Sequence, residues 1–216
     1  MSAGRLGRVL AAGAIGLGLL LVPISATAAP SAHEILLRVM GANADTPDLA
    51  SADVLSKLRI KKPLSDPPDC EFSGTMQFTG GRQTLNIGRR TAGLVCWAVN
   101  RYVLGRLFEA SEPLQTFFSR FTFQVLGEKL VGTQHFYLLQ GRARDPKNNP
   151  TGMIGWVDYE RGLVTEGTVD FTWGSIDSEQ QYGRVNGALV LTHQYLYAPR
   201  FDASLEIFYS NFRFAR

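Results

Sequence analysis

The chain has little with which to do covalent chemistry. Its 216 residues include three histidines and two cysteines. His33, His135 and His193 stand far apart. There is no His-x-His and no second histidine one turn after His33, so the spacing of a metal site is missing. No G-x-S-x-G elbow and no phosphate-cradling glycine loop occurs. The glycines of "GTMQFTGG" and "GRVNG" stand at turn spacing only. Residue types alone permit Cys70 or Cys96 as a nucleophile with His193 as base. Asp158, Glu160, Glu166 and Asp170 invite a two-carboxylate reading. Glu160 falls at a turn, however, and charges at a hairpin tip are ordinarily solvated. The expectation is a protein with no catalytic residue, no metal and no cofactor.

An excess of one charge is also missing. Two of the 22 Lys+Arg residues, Arg5 and Arg8, lie in the first 28 residues, and none of the 19 Asp+Glu do. That leaves 20 against 19, a net of about +1. No basic stripe suggests nucleic acid. There is no internal repeat and no low-complexity tract.

The one long apolar run is at the start. Arg5 and Arg8 precede "VLAAGAIGLGLLLVPISA", residues 9–26, and Ala26-Thr27-Ala28 fits a small-x-small cleavage rule. Residues 1–28 are read as a secretory signal cleaved after Ala28, and the protein is expected in the periplasm or another extracytoplasmic space. Uncleaved, the same run is just long enough to anchor the chain in a bilayer. No cysteine lies near the cleavage point, so a lipid-anchored lipoprotein is not expected. Residues 29–216 suit a single domain with a sizeable core. In an oxidising compartment the two cysteines are expected to form a Cys70–Cys96 disulfide, two buried thiols being the alternative.

Along the chain, Ser31 and Glu34 make a capping box before Ile35, Leu36, Val39 and Met40, which predicts a helix. Ser51 is read as the cap of a second short helix carrying Val54, Leu55 and Leu58. Residues 61–69, "KKPLSDPPD", read as a connector because three prolines forbid regular structure. Alternation follows. Phe72, Met76 and Phe78 share a parity, Gly80-Gly81 makes a hairpin turn, and Leu85 and Ile87 continue the apolar face. "AGLVCWAVNRYVLGRLF" fits strands or a helix equally. Phe117, Phe121, Phe123 and Val125 alternate, Gly127 and Gly132 bracket a turn, and Phe136/Leu138 oppose Tyr137/Leu139. "MIGWVDYERGLVTEGTVDF" is a hairpin around a polar knot, with Val169, Phe171 and Trp173 in register on its second arm. Leu189, Leu191, His193, Tyr195 and Tyr197 form another arm, and "SLEIFYSNFRF" carries a register slip. The count is some eight to eleven antiparallel strands. This is a mainly β (α+β) chain, a curved antiparallel sheet covered by short N-terminal helices.

Aromatics make up 11% of the chain, with 13 Phe, and recur on one parity of several strands without charged interruption. A filled core accounts for each residue singly. A partly unfilled apolar face accounts for the set, and would take acyl chains. The predicted cavity wall is Met76, Phe78, Leu85, Ile87, Phe117, Phe121, Phe123, Val125, Val169, Phe171, Trp173, Leu189 and Leu191.

The order of features resembles the LolA/LolB-like superfamily, which includes periplasmic lipoprotein carriers, LppX-LprG proteins and the RseB N-terminal domain. The resemblance runs from "AHEILLRVM" through "FSGTMQF", "FQVLGEKLVGTQHFYLLQGR" and "GWVDYERGLVTEGTVDF" to "GRVNGALVLTHQYL". It implies an unclosed β-barrel whose helices cover an apolar cavity, without enzyme activity or cofactor. Asp158 and Gly162 would shape the hairpin turn. An inner-strand arginine, linked in such carriers to opening and closing, has three candidates here, Arg89, Arg90 and Arg106. The implied function is a non-enzymatic carrier or sensor of lipid or lipoprotein acyl chains, touching membranes only transiently. The alternatives are an envelope sensor or adaptor binding a protein partner, as RseB does, and an unrecognised hydrolase.

Overall fold

The computed structural model describes residues 29–44, 49–61, 69–79, 82–99 and 114–215. Ten strands form one sheet: β1 (Leu49–Ile60), β2 (Cys70–Thr79), β3 (Arg82–Arg90), β4 (Phe121–Val131), β5 (Gln134–Ala143), β6 (Gly152–Asp158), β7 (Leu163–Phe171), β8 (Gly174–Val185), β9 (Ala188–Ala198) and β10 (Ala203–Phe214). Among the described residues three α-helices accompany them, α1 (Ala32–Ala44), α2 (Leu94–Val99) and α3 (Leu114–Ser119). The strand order is β3-β2-β1-β10-β9-β8-β7-β6-β5-β4. Every neighbouring pair is antiparallel, and the sheet does not close, leaving β3 and β4 as edges. Among the described residues no helix is long and apolar enough to cross a membrane.

Hairpins dominate because turn residues sit where the strands must reverse. Asn186-Gly187, with φ of 51° and 84°, supplies the left-handed pair of a two-residue turn between β8 and β9. The one pairing not made by a hairpin is β1 with β10, which joins the two ends of the strand series. Its register shifts near Ser51, opposite Asn211 at φ 48°, and this is the slip read in "SLEIFYSNFRF".

The segment read as a Ser51-capped helix is strand β1. Val54 and Leu58 satisfy a helical spacing and an alternating one alike. Ladders to β2 and β10 select the second, burying Ala52, Val54, Ser56 and Leu58 on one face. Phe117 is not on a strand but in α3. Trp173 is in the β7–β8 turn, not on an arm. Gly127 lies at a bulge within β4, and the turn itself is Gly132-Thr133. Part of the ambiguous run, Leu94–Val99, is helical. The signal segment, the Gly80-Gly81 turn, most of the proline connector and Arg106 lie outside the described residues.

The core is in two parts on one face of the sheet. The first joins Val54, Leu58, Cys70, Phe72, Met76, Leu205, Ile207 and Tyr209 to Cys96 of α2. The Cys70–Cys96 disulfide, with Cα atoms 5.4 Å apart, fastens α2 there. The second part packs Ile35 and Val39 of α1 on Tyr137, Leu139 and Val157. Helix α1 starts as predicted: Glu34 accepts from the Ser31 amide at 2.7 Å, and Ser31 Oγ accepts from the Glu34 amide at 3.3 Å.

Candidate functional site

The polar knot of the β6–β7 hairpin is a seat for α1. Asp158 is fully buried, contrary to the expectation of a solvated tip. Its Oδ1 accepts from the Arg161 amide at 3.1 Å and its Oδ2 from Arg161 Nε at 2.6 Å. The Gly162 amide donates to the Asp158 carbonyl at 2.9 Å. Gly162 has φ of 66°, and a Cβ there would lie 2.5 Å from the Arg38 carbonyl oxygen of α1. The glycine thus serves the turn and lets the helix approach. The Arg38 guanidinium caps the Tyr159 ring from the same side at 4.1 Å.

Between the two core parts one row of the helix-covered face is built from small residues. In register across the sheet run Leu139, Gly155, Gly167, Ser178, Leu196, Leu205, Leu58 and Cys70. Directly paired residues share a face, so the middle of this row carries no side chain larger than serine. Here β6 and β7 crowd together. A Cβ on Gly167 would lie 2.6 Å from the Ile154 carbonyl oxygen, and one on Gly155 3.0 Å from that of Glu166. By register this row is a low strip, or trough, and Gly155, Gly167 and Ser178 also line a groove of the opposite face. Met153, Val169, Phe171 and Ile176, near one end, are half-buried and belong to neither core part.

All the predicted wall residues except Phe117 and Trp173 come from strands on this face, by register. They are not equivalent. Met76 is fully buried, and Phe78, Leu85, Ile87 and Leu191 pack against the first core part. Phe121 is buried, with Phe117 and Phe123 at 5.3 and 6.1 Å. Phe123 stands edge-on to Phe118 of α3 at 5.6 Å. Val125 packs against the second part. Val169 and Phe171 flank the trough, and Leu189 is half-buried. Trp173 stacks on Phe171 at 5.0 Å and approaches Phe201 at 5.7 Å, a cluster at the strand ends. The trough glycines escaped the sequence reading. Their signal was present: an isolated glycine inside an alternating strand marks a close approach.

The opposite face, which no described helix covers, carries a groove of about 570 Å³ across β5 to β9, between Leu138, Ile154, Trp156, Tyr195 and Tyr197. His193 is also on that face, 3.1 Å from Glu206 and stacked on Phe208 at 4.7 Å. A cysteine nucleophile is excluded, because both thiols are in the disulfide and His193 is across the sheet. The carboxylates do not converge for catalysis: Asp158 serves Arg161, Glu160 accepts from the His135 amide at 3.0 Å, Glu166 pairs with Lys129 at 2.9 Å, and Asp170 is exposed. Among the described residues no group of three or more His, Cys, Asp or Glu is placed to hold a metal. Arg89 and Arg90 are both exposed.

By sequence alone, no family model and no curated protein matches the chain. Solved structures do. A LolA superfamily protein from Nitrosomonas europaea is 11% identical, with TM-score 0.54 over 87% of this chain and 94% of that one. A DUF1329 family protein from Desulfovibrio piger is 12% identical, with TM-score 0.54 over 83% and 92%. A domain assigned to outer membrane lipoprotein sorting from Vibrio parahaemolyticus is 9% identical, with TM-score 0.55 over 83% and 91%. The resemblance read from turns and alternation is therefore matched in three dimensions, and the chain has a LolA-like fold: a ten-stranded antiparallel sheet, unclosed, with few helices.

Proposed function

We propose that this is an exported, non-enzymatic binding protein whose helix-covered face holds the acyl chains of a lipid or an acylated protein. The observation that carries the reading is the small-residue trough between the two core parts. Apolar side chains at its margin stay half-buried, although burying a Val, Ile or Phe completely is worth roughly 1.5–3 kcal/mol. An alkyl chain laid along Gly155, Gly167 and Ser178 supplies that burial without a new polar contact. Export agrees with the disulfide and with the amino-terminal segment, which we take to be removed after Ala28. Helix α1, seated on a glycine turn, is the natural cover, and cargo enters as it lifts.

The test is displacement of a fluorescent fatty acid from the purified mature chain, with thermal melts of each variant. Wild type is expected to bind saturably. Val169→Asp should abolish binding by placing a charge beside the alkyl tail. Phe123→Asp should do the same, and Phe123→Leu should weaken binding less. A wild type that binds no probe, and carries no lipid in native mass spectrometry after purification from its own envelope, would refute the carrier reading.

A further inference from the structure

The groove on the face that no described helix covers has a chemistry of its own, although Gly155, Gly167 and Ser178 line it as well as the trough behind it. Its register places Glu166 of β7 directly opposite Glu179 of β8. Like charges directly opposite in an antiparallel pair are destabilising. Asp177, one inward-outward repeat away, adds a third carboxylate, its Oδ1 accepting from Thr168 Oγ1 at 2.8 Å. One lysine answers these three acids. Lys129 Nζ lies 2.9 Å from Glu166 Oε1 and 4.1 Å from the centroid of the Trp156 ring. This half of the groove is a complete cation site, with a carboxylate, an aromatic face and an ammonium between them.

The other half repeats the parts and omits the cation. Glu179 pairs in register with Tyr195, and Asp177 with Tyr197. Glu179 is exposed, and its carboxylate has no hydrogen-bond or ion-pair partner among the described residues. The groove's volume, about 570 Å³, is ample for a lysine or arginine side chain and its neighbours. From this the geometry points to a second binding site, at Glu179, Asp177, Tyr195 and Tyr197, for an arginine- or lysine-bearing segment of a protein partner. The guanidinium or ammonium completes on Glu179 and Tyr195 what Lys129 makes on Glu166 and Trp156. It also relieves the Glu166–Glu179 repulsion. A planar guanidinium suits the tyrosine faces best. A polypeptide is favoured over an isolated amine because the groove runs across five strands and offers apolar ground at Leu138 and Ile154 for flanking residues. This inference is independent of the acyl-chain reading, since the two sites are on opposite faces.

The full mature chain is titrated calorimetrically with an end-blocked hexaarginine peptide, with hexaglutamate as the reversed-charge probe. Hexaarginine should bind saturably at one site and hexaglutamate should not. Glu179→Gln should weaken binding about tenfold, and Tyr195→Leu by a similar factor. Glu71→Gln removes the same charge from β2, away from the groove, and should leave affinity unchanged. If Tyr195→Leu does not fold, Glu179→Gln against Glu71→Gln decides. Absence of saturable binding, or equal effects of the two glutamate substitutions, would overturn the site. Glu179-dependent binding of phosphatidylethanolamine vesicles in place of the peptide would overturn the choice of partner.

Discussion

Gly162→Ala tests how α1 is held. Two costs separate cleanly at this position. The first is conformational: alanine at φ 66° is in the left-handed region, at about 1–2 kcal/mol. The second is contact. The added Cβ would lie 2.5 Å from the Arg38 carbonyl oxygen and 2.9 Å from its carbon, where ordinary contact begins at 3.4 Å. The neighbour is helix backbone and cannot rotate away, so α1 must withdraw by about 0.9 Å. A gap of that size forfeits a quarter to a half of each van der Waals well. Ile35 and Val39 are the side chains that lose it, being 0% and 3% exposed. At roughly 1.5–3 kcal/mol for each buried side chain, the contact cost is about 1–3 kcal/mol. Gly132→Ala is the matched control, with φ 64° and nothing within 4 Å of its Cβ. Urea unfolding should therefore show Gly162→Ala less stable than Gly132→Ala by about 1–3 kcal/mol. Amide exchange should speed up across α1 in the first variant and not in the second. Equal destabilisation by the two substitutions, or unchanged protection of α1 in Gly162→Ala, would refute the seating argument.

Two further outcomes follow from the same structure. Reducing the Cys70–Cys96 bond, or replacing both cysteines by serine, opens a loop of sequence separation 26 and should cost about 3 kcal/mol in urea unfolding, with α2 the first element to lose protection. At high pH the relevant group is Tyr182, whose phenol donates to the Val164 carbonyl at 3.0 Å and whose pKa is pushed up to about 12 by burial. The folded state thus holds a proton that the unfolded chain releases near pH 10, so stability falls as pH rises from about 10 to about 12. Burial raises the Tyr209 phenol as well, so Tyr182→Phe should reduce that fall without abolishing it, read from urea midpoints at pH 8 and pH 11.

What was legible in the sequence was the part set by local chemistry. Ser31 and Glu34 announce α1 because a capping box is closed by residues three apart. Asn186-Gly187 and Gly132 announce turns because few residues tolerate positive φ. Alternation in β2 announces the strand and, through parity, the face of its wall residues; in β9 it announces the strand but not the face, because a register shift opposite Gln181/Tyr182 puts Leu189 and Leu191 on the helix-covered face and His193, Tyr195 and Tyr197 on the other. The tertiary structure decided what periodicity leaves degenerate. The β1 segment fits a helix as well as a strand until β10, over a hundred residues away, supplies its ladder. Phe117 matches the parity of Phe121 and Phe123 but is on α3, since parity has no meaning before a strand begins. Asp158 looks like a solvated tip and is buried, its carboxylate turned back onto the Arg161 amide and guanidinium. The trough glycines had a local signal, but their alignment into a row, like that of the acidic groove, did not. Each exists because the registers of successive hairpins bring Gly155, Gly167 and Ser178 into one row on one face, and Glu166, Glu179 and Tyr195 into one row on the other. Register across a ladder is a property of pairs of strands, set in these hairpins by their turns, and alternation within one strand does not give it.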